Sequence, residues 1–331
     1  MALFDCFIRL NNKNKNSFAC AEVFSNNLFR DKQEVYLLEQ LKKWDLAKSN
    51  YEALKQVETK ELNVNGAKFI VQFNPARIVS SGAKVDAKSI RDRACFLCEE
   101  NRPKLQKGLD FGEHYTILIN PFPIFPKHFT IVDVKHVPQL IAGRFGDMLD
   151  LAEYMDDYVI FYNGPKCGAS APDHAHFQAG NRGFLPIEKG WKNHIVVKKD
   201  ENLSLINYGF PAFVIEALSK KRCICLFEKI YEALPVKEGD TEPKMNILTW
   251  CEAKHFTAVI IPRAKHRPDC FFAKGDENIL ISPASVDLGG VFITPLEKDF
   301  EKITIKNVAK VLKEVCLSEK EYYDIIKNLA G

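Results

Sequence analysis

Three polar side chains in alternation, His174, His176 and Gln178, are the residues of this chain best arranged for chemistry. If residues 174–180 form a strand, these three project from one face about 7 Å apart, and Ala175, Phe177 and Ala179 project from the other. The small-residue loop before them, Gly168-Ala169-Ser170-Ala171-Pro172-Asp173, offers the Ser170 hydroxyl and free backbone N–H groups to an anionic oxygen. An imidazole beside such a cradle suits nucleophilic phosphoryl chemistry. With 8 histidines in 331 residues, His-x-His-x-Gln arises by chance about once in a few hundred such chains. The competing reading is a strand carrying two hydrogen-bonded core histidines. Three aligned polar side chains on one face, however, rarely lack a task.

A second group with chemical potential is Cys95-Phe96-Leu97-Cys98, a Cys-x-x-Cys turn that places two thiolates within reach of one Zn²⁺. A redox pair is the rival, but no thioredoxin-like strand-then-helix pattern surrounds it. Near the first motif, Lys166 lies in the preceding loop and Arg182 just beyond. Each is a candidate phosphate partner or a solvated surface cation.

The elements that position these residues follow from periodicity. Residues 115–120 and 128–134 read as strands around a loop that three prolines in six residues hold extended. Residues 137–157 carry helical spacing, and 158–162 form a strand delivering Asn163 and the Gly168 loop. Residues 33–57 and 213–234 read as helical, 67–80 as two strands broken at Asn74-Pro75, and 297–329 as two helices. The sequence also echoes itself. Lys127-His128-Phe129-Thr130 is matched by Lys254-His255-Phe256-Thr257, which implies a duplicated unit. The second copy has no His-x-His-x-Gln, so one active site per chain is expected, with His128 and His255 as structural counterparts.

Composition bounds the function. At 331 residues and 46% hydrophobic content the chain can bury one large core or two modest ones. A net charge of +3, with lysines scattered among acids, gives no basis for nucleic-acid binding. No apolar run approaches the roughly 18 residues of a membrane span, and the first ten residues contain Asp5 and Arg9, so a cytoplasmic location is expected. Ten irregularly spaced cysteines fit reduced thiols with one metal site better than a disulfide framework.

Asn163-Gly164, the Gly168-Ala169-Ser170 loop and His174-Ala175-His176-Phe177-Gln178 together resemble the active-site segment of the histidine triad superfamily. The resemblance is to its transferase branch, in which glutamine replaces the third histidine: galactose-1-phosphate uridylyltransferase and the nucleotide phosphorylases. It implies an α+β fold of two fused triad-like halves, antiparallel sheets with packed helices, divided here as a helical segment 1–60, a catalytic half 61–200 and a second half 201–331.

The same resemblance implies His176 as nucleophile toward a nucleotide α-phosphorus, Gln178 as the group binding phosphoryl oxygens, and Asn163, Ser170 and Arg77 on the substrate. It implies a structural zinc on Cys95, Cys98, His136 and His174, and nucleotide contacts from Asn120 and Phe122. Asp173 is one residue more than the uridylyltransferases have between serine and the first histidine. Glutamine cannot protonate a leaving group, which suits substrates that release a phosphate monoester. The expected reaction is therefore transfer or phosphorolysis of a nucleoside diphosphate sugar or dinucleoside polyphosphate, with phosphate or a sugar phosphate as second substrate. A hydrolase of the superfamily and a non-catalytic nucleotide-binding protein are the alternatives. A Mg²⁺ requirement is not legible in the chain, and a homodimer stays open as the assembly.

Overall fold

A computed structural model describes residues 32–328. Residues 1–31 and 329–331, which include the first ten residues, the first half of the 1–60 segment and the ends of the 201–331 and 297–329 readings, lie outside the described residues. Residues 32–43 are helical, and the features below belong to the unit formed by residues 40–331.

The unit is built on a ten-stranded sheet and a three-stranded one. The large sheet takes β3 (Leu109–Phe111), β4 (Tyr115–Ile119), β5 (His128–Asp133), β6 (Tyr158–Asn163) and β7 (His176–Asn181) from the first half of the chain. From the second half it takes β8 (Ile195–Lys198), β9 (Leu203–Asn207), β10 (Pro211–Ala217), β11 (Met245–Glu252) and β12 (His255–Pro262). The spatial order is β3-β4-β5-β7-β6-β11-β12-β10-β9-β8, with every neighbouring pair antiparallel. Each half is a five-stranded sheet with a helix inserted before its last two strands, Phe145–Tyr154 in one and Lys220–Ala233 in the other. The halves meet edge to edge where β6 pairs with β11.

This order corrects the proposed echo. The strand that occupies in the second half the place of β7 is β12, so the His255 segment corresponds to the motif strand and not to the His128 segment. A short match of Lys-His-Phe-Thr could not reveal that, because both segments are buried strands and share the composition burial requires. The conclusion drawn from the echo stands on better ground: from Phe256 to Ile261 β12 is buried and, apart from Thr257, apolar, so it carries no second motif.

One face of the large sheet is covered by the two helices, whose Phe145 and Phe227 rings stack 4.1 Å apart at 12°. Phe177 lies on this face against Tyr115 and Tyr162. The other face receives the small sheet: β1 (Glu58–Val64) and β2 (Ala67–Phe73) form a hairpin, and β13 (Val291–Thr294) lies parallel to β2. Its Phe69 and Phe292 join Phe125, Phe161, Leu248 and Val259 in the main core. Each such ring or branched side chain buried contributes about 1.5–3 kcal/mol. Residues from near the C-terminal end thereby close over a surface built by the first half.

Four local expectations are revised. Only 67–73 is a strand; Pro75 opens a 3₁₀ turn that leads into the helical turn Ile78–Ser81, because proline's fixed φ suits the first position of a helical turn. The helix expected from residue 137 begins at Phe145. The stretch from Phe213 belongs to β10 up to Ala217, the helix starting after its Ser219 cap. The C-terminal region holds three helices, Glu297–Lys302, Ile305–Val315 and Glu319–Asn328.

Candidate functional site

β7 starts at His176, two residues later than the alternation suggested. His176 and Gln178 nevertheless share one face, opposite Phe177, because they are directly paired with Val132 and Thr130 on β5, and Gln178 also with Phe161 on β6. That face carries Gly180 next. A Cβ there would meet the Phe125 ring at 2.4 Å, so the glycine lets Phe125 pack down beside His128, 5.3 Å away.

His176 is buried and fully oriented. Its backbone N–H donates to the Gln139 side-chain oxygen at 2.8 Å, and the Gln139 amide nitrogen donates back to the His176 carbonyl at 2.9 Å and to the Asn163 carbonyl at 3.0 Å. Its Nδ1 lies 2.8 Å from the His174 carbonyl. A carbonyl only accepts, so Nδ1 carries the proton and Nε2 keeps a free lone pair. Burial, above all, pushes the imidazole down to about 4, so the neutral ring is the resting form.

Gln178 is oriented by a second chain of bonds. The Ile124 N–H donates to His128 Nδ1 at 3.1 Å, which leaves His128 Nε2 protonated, and Nε2 donates to the Gln178 side-chain oxygen at 3.0 Å. With its oxygen held there, Gln178 turns its amide nitrogen, a pure donor, toward the cavity. His128 is buried, and desolvation together with the nearby Arg77 pushes it down to about 3. It is thus the residue that fixes Gln178, a role the sequence reading missed by assigning it to the scaffold.

Both side chains face a cavity of about 500 Å³, a size typical of small-ligand sites. Of the expected site residues, His176, Gln178, Ser170, Asn163 and Arg77 line it, as do Asn120 and Phe122. Lys166 and Arg182 are not brought there: Lys166 pairs with Asp240 at 2.7 Å, and Arg182 with Glu252 at 3.0 Å. Arg77 donates to the Phe122 carbonyl at 2.6 Å. Burial lowers its pKa to about 10, against the pull of Asp287, whose own carboxyl burial raises to about 6. His266, Arg267, Ser282 and Asp287 complete the wall from the second half. They belong to no motif and lie about 90–110 residues from the first, so no spacing announces them.

Asn163 doubles as a brace. Its side-chain oxygen accepts from Asn246 at 2.9 Å and from the Ser285 N–H at 2.8 Å, while Asn246 also donates to the Cys167 carbonyl at 2.8 Å. Beside it the motif loop presses on the second half at Gly168, whose φ is +97° and where a Cβ would lie 2.5 Å from the Ala284 Cβ. Gly168→Ala is therefore expected to destabilise the protein by about 1–3 kcal/mol, read as a lower urea midpoint with the slope unchanged.

Cys95, Cys98, His136 and His174 form a cluster whose ligand atoms all lie within 4.8 Å of one another. Cys95 Sγ is 3.3 Å from His174 Nδ1, and Cys98 Sγ is 3.2 Å from His136 Nδ1 and 3.5 Å from His174 Nδ1. A tetrahedral zinc with bonds of about 2.3 Å to sulfur and 2.0–2.1 Å to nitrogen requires S···N edges of about 3.6 Å, so the donor set fits such an ion. His174 Nε2 lies 2.8 Å from the Asp133 carbonyl, which fixes the tautomer and aims Nδ1 at the cluster. The extra residue, Asp173, ties the motif loop to this segment through an ion pair with Arg93 at 2.5 Å.

The family described as "Domain of unknown function (DUF4922)" matches residues 36–181, and "GDPGP1-like, C-terminal domain" matches residues 197–330. Galactose-1-phosphate uridylyltransferase of Lactococcus lactis is 27% identical over 114 residues, which is 34% of this chain and 23% of that protein, so the chain matches under a quarter of that relative's length. Among solved structures, yeast Ap4A phosphorylase Apa2 in complex with Ap4A is 18% identical with a TM-score of 0.53, covering 83% of this chain and 97% of the other. The same enzyme alone is 17% identical with a TM-score of 0.53, covering 82% and 94%. At such identities this is a likeness of fold. No helix among the described residues is long and apolar enough to cross a membrane. With the motif on its strand, the family matches on both halves and the likeness of fold in agreement, the chain is similar to the histidine triad superfamily, in the branch of galactose-1-phosphate uridylyltransferase and the nucleotide phosphorylases.

Proposed function

We propose that the protein is a nucleotidyltransferase or phosphorylase acting on a nucleoside diphosphate sugar or dinucleoside polyphosphate through a covalent nucleotidyl-His176, in the cytoplasm, with phosphate or a sugar phosphate as second substrate. The observation that carries this reading is the His176 Nδ1 bond to the His174 carbonyl. It leaves a neutral imidazole with Nε2 free, which is the protonation state a nucleophile needs.

In the first displacement Nε2 attacks the α-phosphorus, and the Pα–O bond to the leaving phosphate monoester breaks. No proton has to be taken from the nucleophile, and the positive charge that develops on the ring is met by the His174 carbonyl. Gln178 donates its amide hydrogens to the phosphoryl oxygens that gain charge, and His128 keeps that amide from turning. Asn120 and Phe122 border the nucleoside, and Ser170 and Arg77 the phosphates. In the second displacement a phosphate oxygen attacks the same phosphorus and returns the electron pair to Nε2. The Cys95, Cys98, His136 and His174 cluster is assigned to a structural zinc, whose four protein ligands leave no open position for a reacting group.

The test is intact mass after incubation with GDP-, ADP- and UDP-hexoses and with Ap4A. A nucleotidyl increment that disappears on adding orthophosphate or a hexose 1-phosphate is the expected result, and the donor that gives it names the base. Turnover to a nucleoside monophosphate without added phosphate would replace the reading with a hydrolase, and binding without an increment with a nucleotide-binding protein.

A further inference from the structure

Five of the nine arginines among the described residues pair with a carboxylate. Arg93, Arg144 and Arg222 meet Asp173, Asp133 and Asp200 at 2.5, 2.7 and 2.6 Å. Arg267 is not one of these. It is half-buried in the cavity wall, and among the described residues no carboxylate pairs with it. Its guanidinium is nevertheless held firmly in place: Nε donates to the Ser282 hydroxyl at 3.0 Å, Nη2 to the Ala83 carbonyl at 2.8 Å, and the plane lies over the Phe271 ring at 4.1 Å. These contacts occupy Nε and one terminal nitrogen and leave Nη1 without a protein partner among the described residues. Burial lowers the guanidinium pKa with no acid nearby to raise it. A cation that has lost water and gained no counter-charge is costly unless a ligand supplies that charge. The neighbouring wall residues suit an anion: Lys84 is exposed at the rim, and Ser282, already an acceptor for Arg267, has its own proton to donate.

We propose that Arg267 and Ser282 form the binding site for the phosphate group that leaves in the first displacement and enters in the second, so that the second half of the chain selects a phosphate rather than water as acceptor. The inference rests on the transfer reading in its second clause only; that Arg267 holds a phosphate anion stands apart from it. In the step concerned, an oxygen of orthophosphate seated on Arg267 forms a bond to the α-phosphorus. The Pα–Nε2 bond of His176 breaks with its electron pair returning to Nε2, and a nucleoside diphosphate leaves.

Two measurements separate the claims. Inorganic pyrophosphate is expected to raise the Tm of the wild-type protein, with the shift lost in Arg267→Gln and partly restored in Arg267→Lys. Arg182→Gln, a cation outside the cavity, serves as the control. Equal shifts in wild type and Arg267→Gln would overturn the proposal. Secondly, nucleotidyl-enzyme freed of donor is mixed with increasing orthophosphate. The half-saturating concentration is expected to rise roughly 10–100-fold in Arg267→Gln, and by a smaller factor in Ser282→Ala, while loss of the adduct to water is unchanged. Superimposable curves would overturn the acceptor role. If no adduct forms in the wild type while the pyrophosphate shift still depends on Arg267, the covalent reading fails and the anion site stands. Should Arg267→Gln not fold, Arg267→Lys and Ser282→Ala carry both measurements.

Discussion

His176→Ala is expected to lower kcat by at least about 10⁴-fold with any accepted donor, a loss of roughly 5.5 kcal/mol of transition-state stabilisation. The reason is specific to this position. Nε2 is the one atom of the motif left as an unprotonated lone pair facing the cavity, because Nδ1 is committed to the His174 carbonyl and the Gln178 oxygen to His128. Alanine removes the nucleophile and leaves the cavity walls, so donor binding is expected to survive within a few-fold, read by equilibrium titration with a non-reacting nucleotide. The folded state should tolerate the change, since the neighbouring strand bonds and the Gln139 bridge are made by the His176 backbone. Retention of more than a hundredth of wild-type turnover would contradict the nucleophile assignment and direct attention to a water-based displacement.

The second large effect is expected at the Cys2His2 cluster. Cys98→Ser should take the metal content from about one zinc per chain to near zero, measured by elemental analysis. It should also lower the Tm by about 10 °C, since the free energy of a structural zinc site is largely folding free energy. The four candidate ligands come from the Cys95–Cys98 turn, the stretch after β5 and the approach to β7; β5 and β7 are joined by their own strand pairing, while the Cys95–Cys98 turn is tied to them otherwise by the Arg93–Asp173 ion pair and a small apolar cluster of Leu97, Leu118, Val132 and Ala171. The effect should reach the nucleophile as well. His174 contributes its ring to the cluster and its carbonyl to His176 Nδ1, so loosening His174 is expected to reduce kcat about 10–100-fold, the usual scale for losing an orienting partner. A protein that purifies without metal and melts at the wild-type temperature would contradict this account.

How far the sequence reaches can be judged residue by residue. The alternation of His176, Phe177, Gln178 and Ala179 determined which side chains would share a face, because a strand's period of two leaves no other choice. The same local rule placed the Cys-x-x-Cys turn, where Cys98 N–H donates to the Cys95 carbonyl at 3.3 Å. Asn120 and Phe122, which the resemblance implied as nucleotide contacts, line the cavity from the extended proline loop. These are short-range facts, fixed by backbone geometry over a few residues.

The tertiary structure alone decided the rest. His128 was read as scaffold because its neighbours resemble those of His255; only the pairing of β5 with β7 puts its ring on the oxygen of Gln178. Lys166 and Arg182 lie within a few residues of the motif yet pair with Asp240 and Glu252 outside the cavity, while Arg77 and Arg267 arrive from about 100 and 90 residues away. Nearness in sequence loses its meaning once a loop has turned, because the direction of a long cationic side chain is set by where a carboxylate or carbonyl waits for it. The local order of this chain determined that a histidine, His176, would lie on a strand with Gln178 on the same face. Which cations surround that histidine, and which carbonyl fixes its proton, was decided by packing two half-sheets edge to edge and folding β13 back over the face they share.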